Sequence, residues 1–306
     1  NAVDALIFST LSYVGYDGIV SEEVCRWITL EEAVRNVLEL PDLEKRIRVK
    51  RDIELLEAVL EAPRFHRIGM SFYQNILIPE EDTQFSAVTF YLEDGSAFLA
   101  FRGTDFTLTG WKEDFNMSFQ ESVPAQRLAV KYVQEFCEVN SAPLYLGGHS
   151  KGGNLAVYAA AKCKEDVQQR ISRVYNNDGP GFSKAFLESE GYINIRSRIL
   201  KLVPQESVVG MLLANDNNFT VIYSKKSGVV QHNSFLWEVR GRHFVRRSEL
   251  AKKSLELSNV INSWIEEKDY ETRKNLINVT YEILTASEAK TLTDINKGYP
   301  ALFKAI

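Results

Sequence analysis

Leu144-Tyr145-Leu146-Gly147-Gly148-His149-Ser150-Lys151-Gly152-Gly153-Asn154-Leu155-Ala156 is the stretch whose reading decides the fold. Its first three residues form a short apolar run of strand character, and Leu155-Ala-Val-Tyr-Ala-Ala160 continues it as an apolar helix. Ser150 stands between the two, with Gly148 and Gly152 two residues to either side. Strand, sharp turn and helix in this order make a nucleophile elbow. The turn holds the serine in a strained conformation, and the flanking glycines leave room for strand and helix to approach closely. The helix N-terminus then lies beside the serine oxygen, where its dipole favours developing negative charge. Gly-x-Ser-x-Gly alone recurs by chance; the flanking strand and helix give it weight here. Ser150 is therefore expected to be a catalytic nucleophile.

Upstream, Phe85-Ser-Ala-Val-Thr-Phe-Tyr-Leu92 and Ser96-Ala-Phe-Leu-Ala-Phe101 flank Glu93-Asp94-Gly95, a hairpin signal. Downstream the pattern alternates: helix over 124–138, strand over 144–146, helix over 152–164, strand over 171–175, helix over 183–189 and strand over 199–203. Parallel neighbours need long connections, so this alternation predicts a mostly parallel central sheet with helical crossovers, an α/β-hydrolase fold. Two more apolar runs, 219–223 and 229–239, are expected to extend the sheet. Residues 1–70 read as a helical N-terminal segment, with a capped start at Ser21-Glu22-Glu23 and helical spacing over 30–61. Residues 71–245 form the catalytic core. Residues 246–306 read as charged C-terminal helices packed on that core, so that one domain spans 1–306.

A serine hydroxyl is a poor nucleophile until a base takes its proton. Four histidines are present. His149 is locked in the elbow, and His66 precedes the sheet, whereas this fold orders its residues serine, acid, histidine. His232 and His243 remain. His232, in Gly228-Val-Val-Gln-His-Asn-Ser-Phe-Leu-Trp237, is favoured because it follows the last parallel strand; His243 lies in the basic stretch Arg240-Gly-Arg-His. For the acid, Asp178 in Tyr175-Asn-Asn-Asp-Gly-Pro-Gly181 closes the strand after the elbow helix, at the carboxyl edge where ligands of α/β sheets bind. An Asp before Gly also suits a plain turn. Glu206, at the end of the next strand, is the competing acid.

A formal net charge of -5 argues against a general nucleic-acid binder, which needs a basic surface. The runs Lys45-Arg46-Arg48-Lys50-Arg51 and Arg240-Arg242-Arg246-Arg247 read as solvated faces, because acidic residues interleave or follow them. Cys25, Cys137 and Cys163 have neither metal-ligand nor disulfide-framework spacing, which suggests a reducing compartment. Asp4 and Asp17 interrupt the first apolar stretch, and no segment has the length and apolarity of a membrane span. The expectation is a cytoplasmic protein without metal or organic cofactor, acting on a small ester or lipid-like molecule. Oligomeric state is left open.

Phe101-Arg-Gly-Thr-Asp105, followed by Trp111 and Asp114, resembles class 3 lipases, which carry a similar Phe-Arg-Gly-Ser/Thr and a later Trp-x-x-Asp. Together with Leu11-Ser-Tyr13, Gly110-Trp-Lys-Glu-Asp-Phe-Asn116, the elbow and Asn177-Asp-Gly-Pro-Gly-Phe182, the chain resembles the Mbeg-like bacterial family of lipase-like α/β hydrolases over nearly its whole length. The resemblance implies an oxyanion hole formed by Thr104 and the backbone N–H of Lys151, each donor contributing roughly 3–4 kcal/mol. Asp114 then either orients the Thr104 loop or serves as a cap. Class 3 lipases usually have Leu where Lys151 stands, so its charge raises the expectation of an anionic substrate. Where those lipases have Asp-Ile-Val after the acid-bearing strand, this chain has Ser207-Val-Val. Asp178 instead matches pancreatic-type lipases, whose acid follows the preceding strand. The same machinery suits a thioesterase or amidase, or a hydrolase-fold binding protein without turnover.

Overall fold

The structure, a computed structural model, describes residues 1–105 and 107–285. Eight strands form one sheet in chain order: β1 (Ile28–Thr29), β2 (Gly69–Ile78), β3 (Thr83–Tyr91), β4 (Ala97–Phe101), β5 (Leu144–His149), β6 (Ile171–Asn177), β7 (Ile199–Pro204) and β8 (Phe219–Ile222). The pairings from β1 to β4 are antiparallel, and those from β4 to β8 are parallel. Helices α1 (Ala2–Leu11), α2 (Leu30–Leu38), α3 (Leu43–Arg46) and α4 (Lys50–Glu61) precede the long hairpin. The parallel half is linked by α5 (Leu108–Asn116) with α6 (Pro124–Val139), α7 (Lys151–Lys162) with α8 (Glu165–Arg170), and α9 (Lys184–Leu187) with α10 (Glu190–Ile195). A small ribbon, β9 (Val239–Arg240) and β10 (His243–Phe244), leads to α11 (Lys252–Glu267) and α12 (Tyr270–Thr285).

Successive side chains of a strand point to opposite faces, and β4 shows why the sheet is covered on both. Ala97, Leu99 and Phe101 join Tyr132 and Phe136 of α6 and Leu155 and Ala159 of α7 in one buried cluster. Phe98 and Ala100 face the other way, onto Phe8 and Leu11 of α1 and Leu56 of α4. The near-continuous apolar reading of these strands follows from this double burial. The carboxyl ends of β4, β5 and β6 therefore lie side by side at one edge, and they lead into Arg102-Gly-Thr104, Ser150 and Asp178.

Two sequence expectations fail locally. Residues 21–26 form turns, with the Ser21 hydroxyl accepting from the Glu23 amide at 3.0 Å. The helix begins instead at Leu30, because Thr29 and Glu32 accept reciprocally from each other's backbone amides, each at 3.2 Å. Ser21 has Val24 three residues on and lacks that second acceptor. The expected strand over 229–239 is two 3-10 turns, Gly228–His232 and Ser234–Leu236, with only Val239 and Arg240 paired as a strand. Gly228 has a φ of +67°, and the Asn233 side chain accepts from the Phe235 amide at 3.1 Å, so the chain turns. Val229 and Val230 are exposed and line a cavity, which explains apolar residues outside a strand. Of the expected C-terminal helices, 286–306 lie outside the described residues. Among the described residues no helix is long and apolar enough to cross a membrane.

Candidate active site

Ser150 sits between β5 and α7 with φ 59° and ψ −133°, a region that costs a non-glycine residue of order 1–3 kcal/mol. The tight crossing explains both flanking glycines. A Cβ on Gly148 would lie 2.2 Å from the Gly152 carbonyl carbon, and one on Gly152 would lie 2.0 Å from the Phe101 oxygen. The Ser150 amide donates to the Asn177 carbonyl at 3.0 Å, which ties the elbow to the strand that ends at Asp178.

Asp178 is fully buried and has a φ of 55°. Its Oδ2 accepts from His232 Nδ1 at 2.7 Å, and its Oδ1 accepts from the Ser207 hydroxyl at 2.5 Å. The Ser207 hydroxyl thus supports the buried Asp178 carboxylate. Glu206 does not reach His232; its Oε2 accepts from the Gly228 amide at 2.5 Å, at the start of the turn carrying His232. His243 lies exposed on the ribbon, and His66 bonds the Leu60 carbonyl at 2.7 Å through Nε2. Ser150 and His232 line the same cavity, without a hydrogen bond between their side chains.

His149 has a role that its place in the elbow concealed. Its Nε2 lies 2.7 Å from the His232 carbonyl and therefore donates, which leaves Nδ1 to accept from Tyr13 Oη at 3.2 Å. Burial first, then the neighbouring His232 and Arg48, holds its pKa well below 6.5, so the ring stays neutral as this arrangement requires. Burial also pushes the Tyr13 hydroxyl up to about 12, which keeps it a donor. His149 and Tyr13 thus anchor the backbone of His232. The Leu11-Ser-Tyr13 stretch flagged Tyr13 and the elbow placed His149, but nothing local in sequence paired the two.

Thr104 donates from its hydroxyl to Asp114 Oδ2 at 2.5 Å, fastening the loop after β4 to α5. The charge of Lys151 gives no support to an anionic substrate, because it is engaged inside the protein. Its side chain is 1% exposed, and Nζ donates to Glu113 Oε2 at 2.8 Å, the Gln84 carbonyl at 2.9 Å and Gln84 Oε1 at 2.7 Å. The ammonium is neutralised within the protein by the Glu113 carboxylate. Glu113 also accepts from the Gln84 and Ala125 amides at 3.2 and 2.8 Å.

Burial pushes the Asp114 carboxyl up to about 6, against the pull of Lys151 Nζ at 4.0 Å and of the Thr104 bond. Its side chain is 33% exposed, yet it faces the cavity, so the carboxylate gains little solvation. A folded-state pKa above the ordinary 3.8 means that the proton favours folding. That stabilisation is complete below 3.8 and is lost as pH rises through about 6. Asp114→Asn is neutral at every pH and retains an acceptor for Thr104. It is expected to match wild type near pH 4 and to exceed it near pH 8 by about 1 kcal/mol, the full shift of about 3 kcal/mol being discounted for solvent access. Melting temperatures of both proteins across this range check it; a pH-independent difference would contradict it.

The cavity beside Ser150 measures about 500 Å³. Trp111 and Phe115 of α5, Leu212 and Leu213, Val229 and Val230 form much of its wall, and Ile261 and Ile265 of α11 close one side. Asn262 fixes α11 there, accepting from the Leu213 amide at 2.8 Å and donating to the Met211 carbonyl at 2.9 Å. Among the described residues no group of three or more His, Cys, Asp or Glu side chains is placed to hold a metal ion.

A mostly parallel sheet whose central strand turns through a strained serine into a helix defines a lipase-like α/β-hydrolase fold. The profile of the Mbeg1-like family matches residues 59–282, and the chain belongs to that family. Solved structures similar to it include the M37 lipase, 14% identical over 69% of each chain with a TM-score of 0.44. A deletion variant of Rhizomucor miehei lipase with its propeptide is 14% identical, covering 77% of this chain and 78% of that one, with a TM-score of 0.46. A lipase from Rhizopus microsporus var. chinensis is 13% identical over 74% and 75%, with a TM-score of 0.41. Comparison with curated proteins returns no match.

Proposed function

We propose that the protein is a serine hydrolase that cleaves carboxylic esters through an acyl-enzyme on Ser150. The observation that carries this reading is the 2.7 Å contact of His232 Nδ1 with the buried Asp178, beside a strained serine facing the same cavity as the imidazole. Asp178 holds the tautomer protonated on Nδ1, leaving Nε2 as the base. His232 takes the proton as Ser150 Oγ attacks the ester carbonyl. The backbone N–H groups of Lys151 and Thr104 receive the developing oxyanion, since the Thr104 hydroxyl is already donated to Asp114. His232 then protonates the leaving alkoxide, and water releases the acyl group by the same route in reverse.

The apolar wall favours an acyl chain over a polar one. We take residues 1–285 as parts of one domain, since the N-terminal Arg48 and Val49 and the C-terminal Ile261 line the same cavity. The exposed free thiol of Cys25 supports a cytoplasmic setting. Turnover of p-nitrophenyl esters over a range of acyl lengths tests the reaction, with thioesters and anilides run beside them. Wild type is expected to favour esters, and Ser150→Ala to lose about 10⁴- to 10⁶-fold in kcat. A folded Ser150→Ala protein as fast as wild type overturns the mechanism, and preference for thioester or amide changes the substrate class.

A further inference from the structure

The basic run at Lys45-Arg46-Arg48 is not merely a solvated face. It lines a second cavity, of about 190 Å³, that shares Tyr13, Arg48 and Asp105 with the cavity of Ser150. Lys45, Arg46, Arg48 and Arg102 line this smaller space with only Asp17 and Asp105 as carboxylates, so four positive charges less two negative ones leave an excess of two. The carboxylates are already engaged. Asp17 meets Arg46 at 3.5 Å and the Tyr73 hydroxyl at 3.3 Å. Asp105 meets Arg102 at 3.4 Å and accepts from the Thr107 amide at 2.8 Å. Arg46 is drawn outward as well, to Asp42 at 3.2 Å.

Two guanidinium groups remain under-used. Arg48 forms no ion pair among the described residues; its guanidinium lies over the Tyr13 ring, 4.0 Å from the centroid. Tyr13 is itself fixed to His149 by its hydroxyl, so the ring is a rigid platform for that cation. Arg102 is 8% exposed, and its buried Nε has no hydrogen-bond partner. A buried cationic donor left without an acceptor is costly, so this orphan marks a place for an oxyanion.

We propose that the smaller cavity binds a phosphate monoester group of the substrate, so that the natural ester is an acylated phosphate-bearing alcohol. The acyl chain then occupies the larger cavity, the ester carbonyl reaches Ser150, and the phosphate meets Arg48 and Arg102 across the Tyr13 wall. Guanidinium forks match phosphate oxygens, and the excess of two positive charges matches a group carrying about −1.5 to −2. A carboxylate supplies only half of that charge. The proposal rests on the ester-hydrolase reading for its substrate, but the phosphate pocket can be measured without turnover.

The experiment uses a matched pair, lauroyl glycerol and lauroyl glycerophosphate, with wild type, Arg48→Met and Arg48→Lys. Wild type is expected to prefer the phosphorylated ester by about tenfold or more in kcat/KM, and Arg48→Met to reduce that ratio by about tenfold, chiefly through KM. Arg48→Lys retains the charge and restores part of the ratio, which a general structural defect does not do. In parallel, a non-hydrolysable ether, alkyl glycerophosphate, is titrated calorimetrically into Ser150→Ala with and without Arg48→Met. Binding that weakens about tenfold with Arg48→Met supports the pocket even if neither ester is turned over, an outcome that would reject the ester-hydrolase reading alone. Equal ratios in wild type and Arg48→Met, or ether binding indifferent to Arg48, overturn the proposal. Inorganic phosphate is added to each assay: competition against the phosphorylated ester supports a substrate site, whereas acceleration of the neutral ester marks a free-phosphate effector site and overturns it.

Discussion

Asp178→Asn is expected to lower kcat about 10⁴-fold while leaving the fold intact. Asn can still accept the Ser207 hydroxyl through its oxygen, so the buried position stays satisfied on that side. Its amide then faces His232 Nδ1, where the carboxylate accepted at 2.7 Å. An amide N–H there requires Nδ1 to be the acceptor, which moves the imidazole proton to Nε2. The nitrogen proposed to deprotonate Ser150 is then already protonated. Steady-state kinetics with a chromogenic ester and circular dichroism on the same samples measure both halves. Glu206→Gln, which preserves an acceptor for the Gly228 amide, should change kcat little. If the larger loss follows Glu206→Gln, the acid has been misassigned.

The second large effect concerns stability. Lys151 and Glu113 form a buried ion pair at 2.8 Å, and removing one partner strands the other charge away from water. Lys151→Met and Glu113→Gln are each expected to cost about 3–5 kcal/mol. The double variant is expected to cost less than their sum, with a coupling of about 1–3 kcal/mol, because the second change removes a charge already unpaired. Urea unfolding midpoints at constant m-value give these numbers. Purely additive costs, or single losses below about 1 kcal/mol, would mean the pair is screened like a surface bridge. The pair also joins the residue after Ser150 to α5, and α5 carries Asp114 and so the Thr104 loop.

What was legible in the sequence was whatever depends on near neighbours. The elbow could be read because Gly148, Ser150 and Gly152 are two residues apart and the strand and helix abut them. The crossover pattern could be read because parallel strands demand it. The order serine, acid, histidine then left Asp178 or Glu206 and His232 or His243, and the structure brings Asp178 and His232 within 2.7 Å.

What escaped depends on distant partners. The Lys151 ammonium finds Glu113 and Gln84, 38 and 67 residues away, so its isolated charge suggested substrate where the fold supplied a counter-ion. Ser207 read only as a departure from the lipase pattern, because its value lies in a hydroxyl aimed at a carboxylate 29 residues earlier. The run 229–239 misled for another reason. Apolar side chains that line a cavity carry the same composition as strand residues, while Gly228 and Asn233 turned the backbone. Arg48 and Arg102 lie in separate segments, and only the fold shows them lining one space.

The most direct test that Ser150 is an activated nucleophile is covalent trapping by a fluorophosphonate, with the adduct located by peptide mass spectrometry. The expected result is one adduct, on the peptide containing Ser150, absent from Ser150→Ala and formed much more slowly in Asp178→Asn. Folded wild-type protein that stays unlabelled, or that is labelled on another residue, would contradict it.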